Sequence, residues 1–174
     1  MSGVKFIKVR DVKSPERGTS VAAGIDFFVP KYSQQFITDL IKLNPFRNIK
    51  YGMINGQFAM EVAAHERIVI PSGIKVCIDS GTMLNASNKS GVGTKKGLVY
   101  TAHVVDSDFA GEICFGLLNT SGADIMISCE EKIIQFVHTP ILIDPVEEIS
   151  TDEFDAFHSK SERGEGWQGS TGSK

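Results

Sequence analysis

Apolar positions fall mostly in short runs. Val4–Val9, Arg67–Ile70, Gly73–Ile78, Leu98–Val105, Glu112–Leu118, Ile125–Ser128 and Ile133–Val137 are rich in Val, Ile, Phe and Thr. Turn-forming clusters bound them, among them Pro71-Ser72-Gly73, Ser80-Gly81, Asp106-Ser107-Asp108 and Asn119-Thr120-Ser121-Gly122. Branched and aromatic side chains suit a pleated surface, and closely spaced turns predict a β-sandwich, jelly roll or barrel. One segment departs from this rhythm. Tyr32–Leu43 carries Phe36, Ile37, Leu40, Ile41 and Leu43 at helical spacing, and Pro45 stops it. Met53-Ile54-Asn55-Gly56-Gln57-Phe58 then gives an Asn-Gly hairpin signal. Residues 31–64 are thus expected to form a helix and hairpin inserted into an all-β body.

The tail changes character again. Asp144, Glu147, Glu148, Asp152, Glu153 and Asp155 crowd one stretch, which reads as a solvated, poorly ordered tether. Residues 163–172 follow, too rich in glycine to pack a core, yet holding the chain's only Trp. The expected division is a body over residues 1–143 and a tether with a flexible arm over 144–174.

Length and charge narrow the function. A chain of 174 residues is about one domain and needs neither disulfide nor metal to fold. A net charge of −3 gives no general attraction to nucleic acid or an anionic membrane. No apolar run approaches the ~18 residues of a membrane span, and the first residues lack the apolar stretch of a signal peptide. Cys77, Cys114 and Cys129 show no paired spacing, which points to a reduced, cytoplasmic setting. The four histidines lie apart, against a zinc site.

Five segments carry chemistry. Residues 86–97 combine Lys89, Ser90, Gly91, Gly93, Lys95, Lys96 and Gly97, and offer bare N–H groups, a hydroxyl and positive charge to a phosphate. The order is not that of a nucleotide-binding P-loop. In Val104-Val105-Asp106-Ser107-Asp108-Phe109-Ala110-Gly111-Glu112, a strand-end carboxylate is placed to orient a water, with an aromatic ring three residues on. Ala22–Asp26 is a bend into a strand. Glu130–Gln135 starts another, in which Gln135 interrupts an apolar run. Residues 163–172 could fold guanidinium, backbone and hydroxyl donors around an oligophosphate. Taken singly, each also fits an ordinary turn, loop or tail.

In order and spacing the five segments resemble the signature motifs of the trimeric dUTPase family, approximately AGxDL, PRSGLAxKxG, GxIDxxYxGE, GxRIxQ and RGxGGFGSTG. Their counterparts are Ala23–Phe27, Asn88–Gly97, His103–Glu112, Glu130–Gln135 and Arg163–Gly172. The resemblance implies a jelly-roll-like β-barrel, a homotrimer with shared active sites, and hydrolysis of dUTP to dUMP and pyrophosphate. That activity keeps uracil out of DNA and supplies dUMP. It implies Mg²⁺ chelated by the triphosphate, with Asp26 placing it through a bound water, and Asp106 as base for the attacking water. Lys89, Ser90, Gly91 and Gln135 would meet the phosphates. The backbone from Tyr100 to Val105 would read uracil, and Phe109 would pack under the deoxyribose. Arg163, Gly166, Trp167, Gln168, Gly169, Ser170 and Thr171 would close over the nucleotide. The compartment implied is the cytoplasm, or a host's cytoplasm for a phage-encoded enzyme.

Some positions depart from the motifs. Lys89 and Lys132 stand where Arg is usual, replacing planar forks by point charges. Phe109 replaces Tyr, and Trp167-Gln168 replaces Gly-Phe, so Trp167 is expected to stack on uracil. A dCTP deaminase of the same fold is the nearest alternative, since Thr101-Ala102-His103 with Asp106 looks like that family's T-A-H-x-x-D. The deaminase's catalytic Glu, however, is Gly116 here. A second alternative is a regulatory protein docking on the apolar face Phe36, Ile37, Leu40 and Ile41 of the insert; packing of that face on its own body is the favoured expectation.

Overall fold

The computed structural model describes residues 3–166 in two units, Met1–Leu142 and Ile143–Lys174. The first holds strands β1 (Lys5–Lys8), β2 (Glu16–Arg17), β3 (Gly24–Phe28), β4 (Tyr51–Ile54), β5 (Gln57–Val62), β6 (Arg67–Pro71) and β7 (Ile74–Cys77). It continues with β8 (Thr82–Asn88), β9 (Leu98–Tyr100), β10 (Val104–Asp106), β11 (Cys114–Asn119), β12 (Ile125–Ser128) and β13 (Lys132–Pro140). Helix α1 (Gln34–Leu43) lies between β3 and β4, and a π-helical turn (Val92–Lys96) follows β8. The second unit contains α2 (Thr151–His158).

Among the described residues the strands form four sheets rather than one closed ladder. Their orders are β10-β8-β13-β3-β2, β6-β11-β9, β12-β5-β4 and β1-β7, with antiparallel pairing throughout. This is the expected mostly-β, jelly-roll-like fold. Alternate residues of the strands turn inward around an aromatic centre: the Phe27 ring meets Phe136 at 4.8 Å and Phe115 at 6.3 Å in edge-on contacts.

The helix forms where its period predicted. Ser33 caps it by accepting from Phe36 N at 3.2 Å. Phe36, Ile37 and Leu40 are buried in the chain's own core, so this face is taken, and only Ile41 of the four named residues stays exposed. Asn44 ends the helix and does a second task. β6 is an edge strand, and Val69 turns its backbone outward. Asn44 Oδ1 accepts from Val69 N at 2.8 Å, and its Nδ2 donates to Val69 O at 2.8 Å and to Leu40 O at 2.7 Å. One carboxamide thus supplies the donor and acceptor of a missing strand. The Asn-Gly hairpin also forms, with positive φ at Asn55 (51°) and Gly56 (82°) as a primed turn requires. It is less of an excursion than the sequence suggested. β5 pairs with β12 and buries Ala59, Met60 and Val62, which makes it a strand of the body.

Three local expectations change. β8 has only Leu84 and Ala86 facing inward, an apolar signal too thin to read as a strand, yet ladders on both sides hold it. The run Leu98–Val105 breaks into β9 and β10, since residues 101–103 leave the ladder. Within the acidic stretch a full capping box starts α2: Ser150 Oγ accepts from Glu153 N at 3.3 Å, and Ser150 N donates to Glu153 Oε2 at 3.0 Å.

Replacing Asn44 by Ala leaves Val69 N–H and C=O unpaired beneath the helix. The expected loss is about 1–3 kcal/mol. Urea unfolding of Asn44→Ala against the unaltered chain checks it.

Candidate active site

Strand register decides which candidate residues meet. β13 lies between β3 and β8, and Gln135 stands opposite Asp26 of β3 and Ser87 of β8. Asp26 is only 6% exposed, and a carboxylate so enclosed needs cationic partners. Lys89, just past the end of β8, donates to Asp26 Oδ1, and Lys132 Nζ lies 3.4 Å from Oδ2. Lys132 also donates to Glu16 at 2.7 Å; that bond, ahead of the one to Asp26, raises the lysine's pKa. Gln135 Nε2 donates to Asn88 O at 2.9 Å, and Asn88 Oδ1 accepts from Tyr100 N at 3.0 Å. A Cβ at Gly24 would overlap the Gln135 carboxamide, so a glycine is what lets the amide lie there. Ser90 and Gly91 lead into the π-helical turn directly after Lys89. Asp26, Lys89, Ser90, Gly91 and Gln135 therefore share one end of the sheet, as a cradle of cations and donors.

The other candidates gather elsewhere. On the opposite side of β8, β10 pairs Val105 with Leu84 and Asp106 with Met83. Asp106 is exposed at the strand's end, and Phe109 N donates to its carbonyl at 3.2 Å to close the turn. The tip of the Phe109 ring lies against Gly111, where a Cβ would come within 2.5 Å of Cζ. Val104, Val105, Asp106, Phe109, Ile113 and Cys114 line a cavity of about 190 Å³. Burial, with Glu112 beside it, pushes the Cys114 thiol pKa up, so this sulfur is no ready nucleophile. Tyr100 stands at the Asn88 end, its ring edge-on to His103 at 4.6 Å.

The two groups are far apart within one chain. Asp106 is level with Met83 and the cradle with Ser87 and Asn88. At about 3.3 Å per residue, Met83 and Asn88 are separated by about 17 Å along β8. In the second unit, Arg163 Nε donates to Gly166 O at 2.9 Å in a tight turn. Trp167, Gln168, Gly169, Ser170 and Thr171 lie outside the described residues. Among the described residues no three His, Cys, Asp or Glu side chains gather to hold a metal, and no helix is long and apolar enough to cross a membrane. A single enclosed carboxylate fits a magnesium ion held chiefly by phosphate oxygens and water, not a protein cage.

Two residues to which sequence alone assigned no role of their own belong to the site. Asn88 joins Gln135 to the Tyr100 backbone, and Lys132 shares Asp26; both stand inside motif counterparts, Lys132 where Arg is usual. The site also speaks against deamination. Gly116 offers no carboxylate, and a Cβ there would stand 2.6 Å from Thr101 Oγ1.

The dUTPase family profile matches residues 55–172, and the chain belongs to this family. A deoxyuridine 5′-triphosphate nucleotidohydrolase of Candida albicans is 30% identical over 160 residues, covering 92% of this chain and 81% of its own length. One from Hydrogenobaculum is 28% identical over 166 residues, covering 94% and 93%. Among solved structures, a dUTPase mutant of Staphylococcus bacteriophage 80alpha with dUpNHpp superposes at a TM-score of 0.73, with 20% identity and 99% of both chains covered. A phage phi11 dUTPase mutant, described as coordinating a structural Mg(II) ion, superposes at 0.65, with 16% identity and 86% and 97% covered. These two likenesses concern the fold.

Gly24→Ala is expected to fold and to push the Gln135 side chain off Asn88. A crystal structure of the variant that kept the bond between Gln135 and Asn88 O would contradict this.

Proposed function

We propose that the chain hydrolyses dUTP to dUMP and pyrophosphate as a homotrimer whose active sites each draw on more than one copy. One observation carries this reading: the exposed Asp106 with its Phe109 wall sits at one end of β8, and the Asp26–Lys89–Gln135 cradle at the other. A separation of about 17 Å is too long for one chain's two groups to serve one α-phosphate. A second copy, turned so that its cradle faces Asp106, completes the site.

In this assembly dUTP lies with its deoxyribose against Phe109 and its uracil along the backbone from Tyr100 to Val105. A cytosine would present a donor where the strand also presents one, leaving buried groups unpaired. Asp106 orients a water and takes its proton as the oxygen attacks the α-phosphorus. The bond from that phosphorus to the bridging oxygen breaks, and the electron pair leaves with pyrophosphate. Lys89, Ser90, Gly91 and Gln135 of the neighbouring copy hold the α- and β-phosphates, where charge grows. Bound magnesium supplies charge neutralisation on the triphosphate. Asp26 would hold one of its waters, and Lys89 and Lys132 would then turn from Asp26 to the phosphates. Arg163, Gly166, Trp167, Gln168, Gly169, Ser170 and Thr171 close over the nucleotide and exclude water. The cytoplasm, where nucleotide pools lie, is the setting this activity fits.

Pyrophosphate release should follow dUTP far more than dCTP, dTTP or UTP, and should need magnesium. Asp106→Asn is expected to fold and to lose about 10²–10⁴-fold in kcat, the share of a general base. Wild-type kcat in that variant would remove the base assignment. Sharing is tested by co-expressing two inactive variants, Asp106→Asn and Ser90→Ala. With random trimers and each site drawing on two copies, about a quarter of sites regain both groups. No recovery in mixed trimers would contradict shared sites.

A protein partner at the insert is a second, narrower reading. Phe46 (94% exposed) and Met53 (70%) supply apolar surface there. Phe46→Asp should then spare hydrolysis and weaken co-purification of the partner; unchanged co-purification would exclude this surface.

A further inference from the structure

Arg10, just past β1, makes the most elaborate ion pair of the described residues. Its Nε donates to Glu112 Oε1 at 2.7 Å and its Nη2 to Glu112 Oε2 at 2.9 Å, a planar fork on a carboxylate. The same Nη2 lies 2.9 Å from Asp39 Oδ2 on α1. The three side chains are 15%, 18% and 25% exposed, so solvent screens them only in part. Glu112 Oε1 accepts a further bond from Gly73 N at 2.6 Å. Asp39 is steadied from its own helix by Gln35, whose Nε2 donates to Oδ1 at 2.9 Å.

Glu112 ends the turn that begins at Asp106, and the two ends of this turn are fixed by different means. Asp106 is fixed by the β10–β8 ladder. The other end is fixed by Glu112 and by Ile113, whose N–H donates to Ile74 O at 3.0 Å and whose carbonyl accepts from Ser72 N at 2.9 Å. The tip of the Phe109 ring abuts Gly111, the residue before Glu112. The backbone against which the ring is set is therefore held where Arg10 holds Glu112.

We propose that Arg10 is a positioning residue for nucleotide binding: by locking Glu112 it fixes the backbone under Phe109, and Asp39 makes the insert helix part of the brace. This rests on the reading of Phe109 as the wall against the sugar. Because Asp106 has its own anchor, the brace governs KM and leaves kcat nearly alone. A merely structural ion pair would alter thermal stability and leave the split between KM and kcat untouched.

The experiment measures kcat and KM for dUTP, with thermal unfolding, in Arg10→Lys, Glu112→Gln and Asp39→Asn. Each is made in the unaltered chain and in Phe109→Ala. Arg10→Lys keeps the charge and loses the fork; Glu112→Gln keeps an acceptor for Gly73 and serves if Arg10→Lys does not fold. The expected result is a KM raised about three- to tenfold with kcat within about twofold, and a smaller rise for Asp39→Asn. In the Phe109→Ala background the brace variants should raise KM no further, because their effect passes through the ring. An unchanged KM in folded variants, a fall in kcat alone, or the same rise in the Phe109→Ala background would overturn the proposal. Failure of the underlying reading looks different: the unaltered chain would not release pyrophosphate from dUTP, or Phe109→Ala alone would keep its KM.

Discussion

Strand β8 is the constraint on which the rest of the molecule depends. It is hydrogen-bonded on both sides, to β10 and to β13, so neither neighbour can slide without breaking a ladder. The first ladder places Asp106, and the second places Gln135 and through it Asp26. Because both are anchored on one rigid strand, their separation is as fixed as the strand's length. On the reading proposed above, a base is brought beside a phosphate between copies, and a rigid spacer would make such an assembly reproducible.

Charge is organised around the same strand. The cradle end holds Asp26 with two lysines, while the Asp106 end leaves an exposed carboxylate beside an aromatic wall. Lysine in place of arginine matters here. An ammonium on a flexible stem can pair with Asp26 in one state and with a phosphate in another, whereas a forked guanidinium is committed to a planar partner. Arg10, which holds Glu112 bidentately, illustrates the committed case within the same chain.

How much of this was legible follows from what each signal needs. Helix α1 announced itself because Phe36, Ile37 and Leu40 repeat at its period and Pro45 stops it. The Asn55-Gly56 turn was legible because few other pairs adopt its backbone. Membership of the dUTPase family was legible because five segments keep motif order, even though each alone is an ordinary turn. β8 was hidden: Leu84 and Ala86 are its only buried residues, and tertiary pairing on both sides outweighs its weak propensity. Helix α2 was masked by its acidic composition, although Ser150 and Glu153 spelled its start. The clustering of Lys132 and Lys89 on Asp26, and of Arg10 with Asp39 and Glu112, was out of reach. Those contacts join positions far apart in sequence, and only the fold brings them together.

The carboxamide of Asn44 completes the picture of the insert. By occupying both outward backbone groups of Val69, it covers the middle of the β6 edge with a side chain instead of a strand. Bare strand edges recruit other edges, which is how β-proteins come to clump. A chain shortened by removal of the helix would therefore gain a sticky seam as well as lose a surface feature. The helix thus shields a strand edge as well as burying Phe36, Ile37 and Leu40.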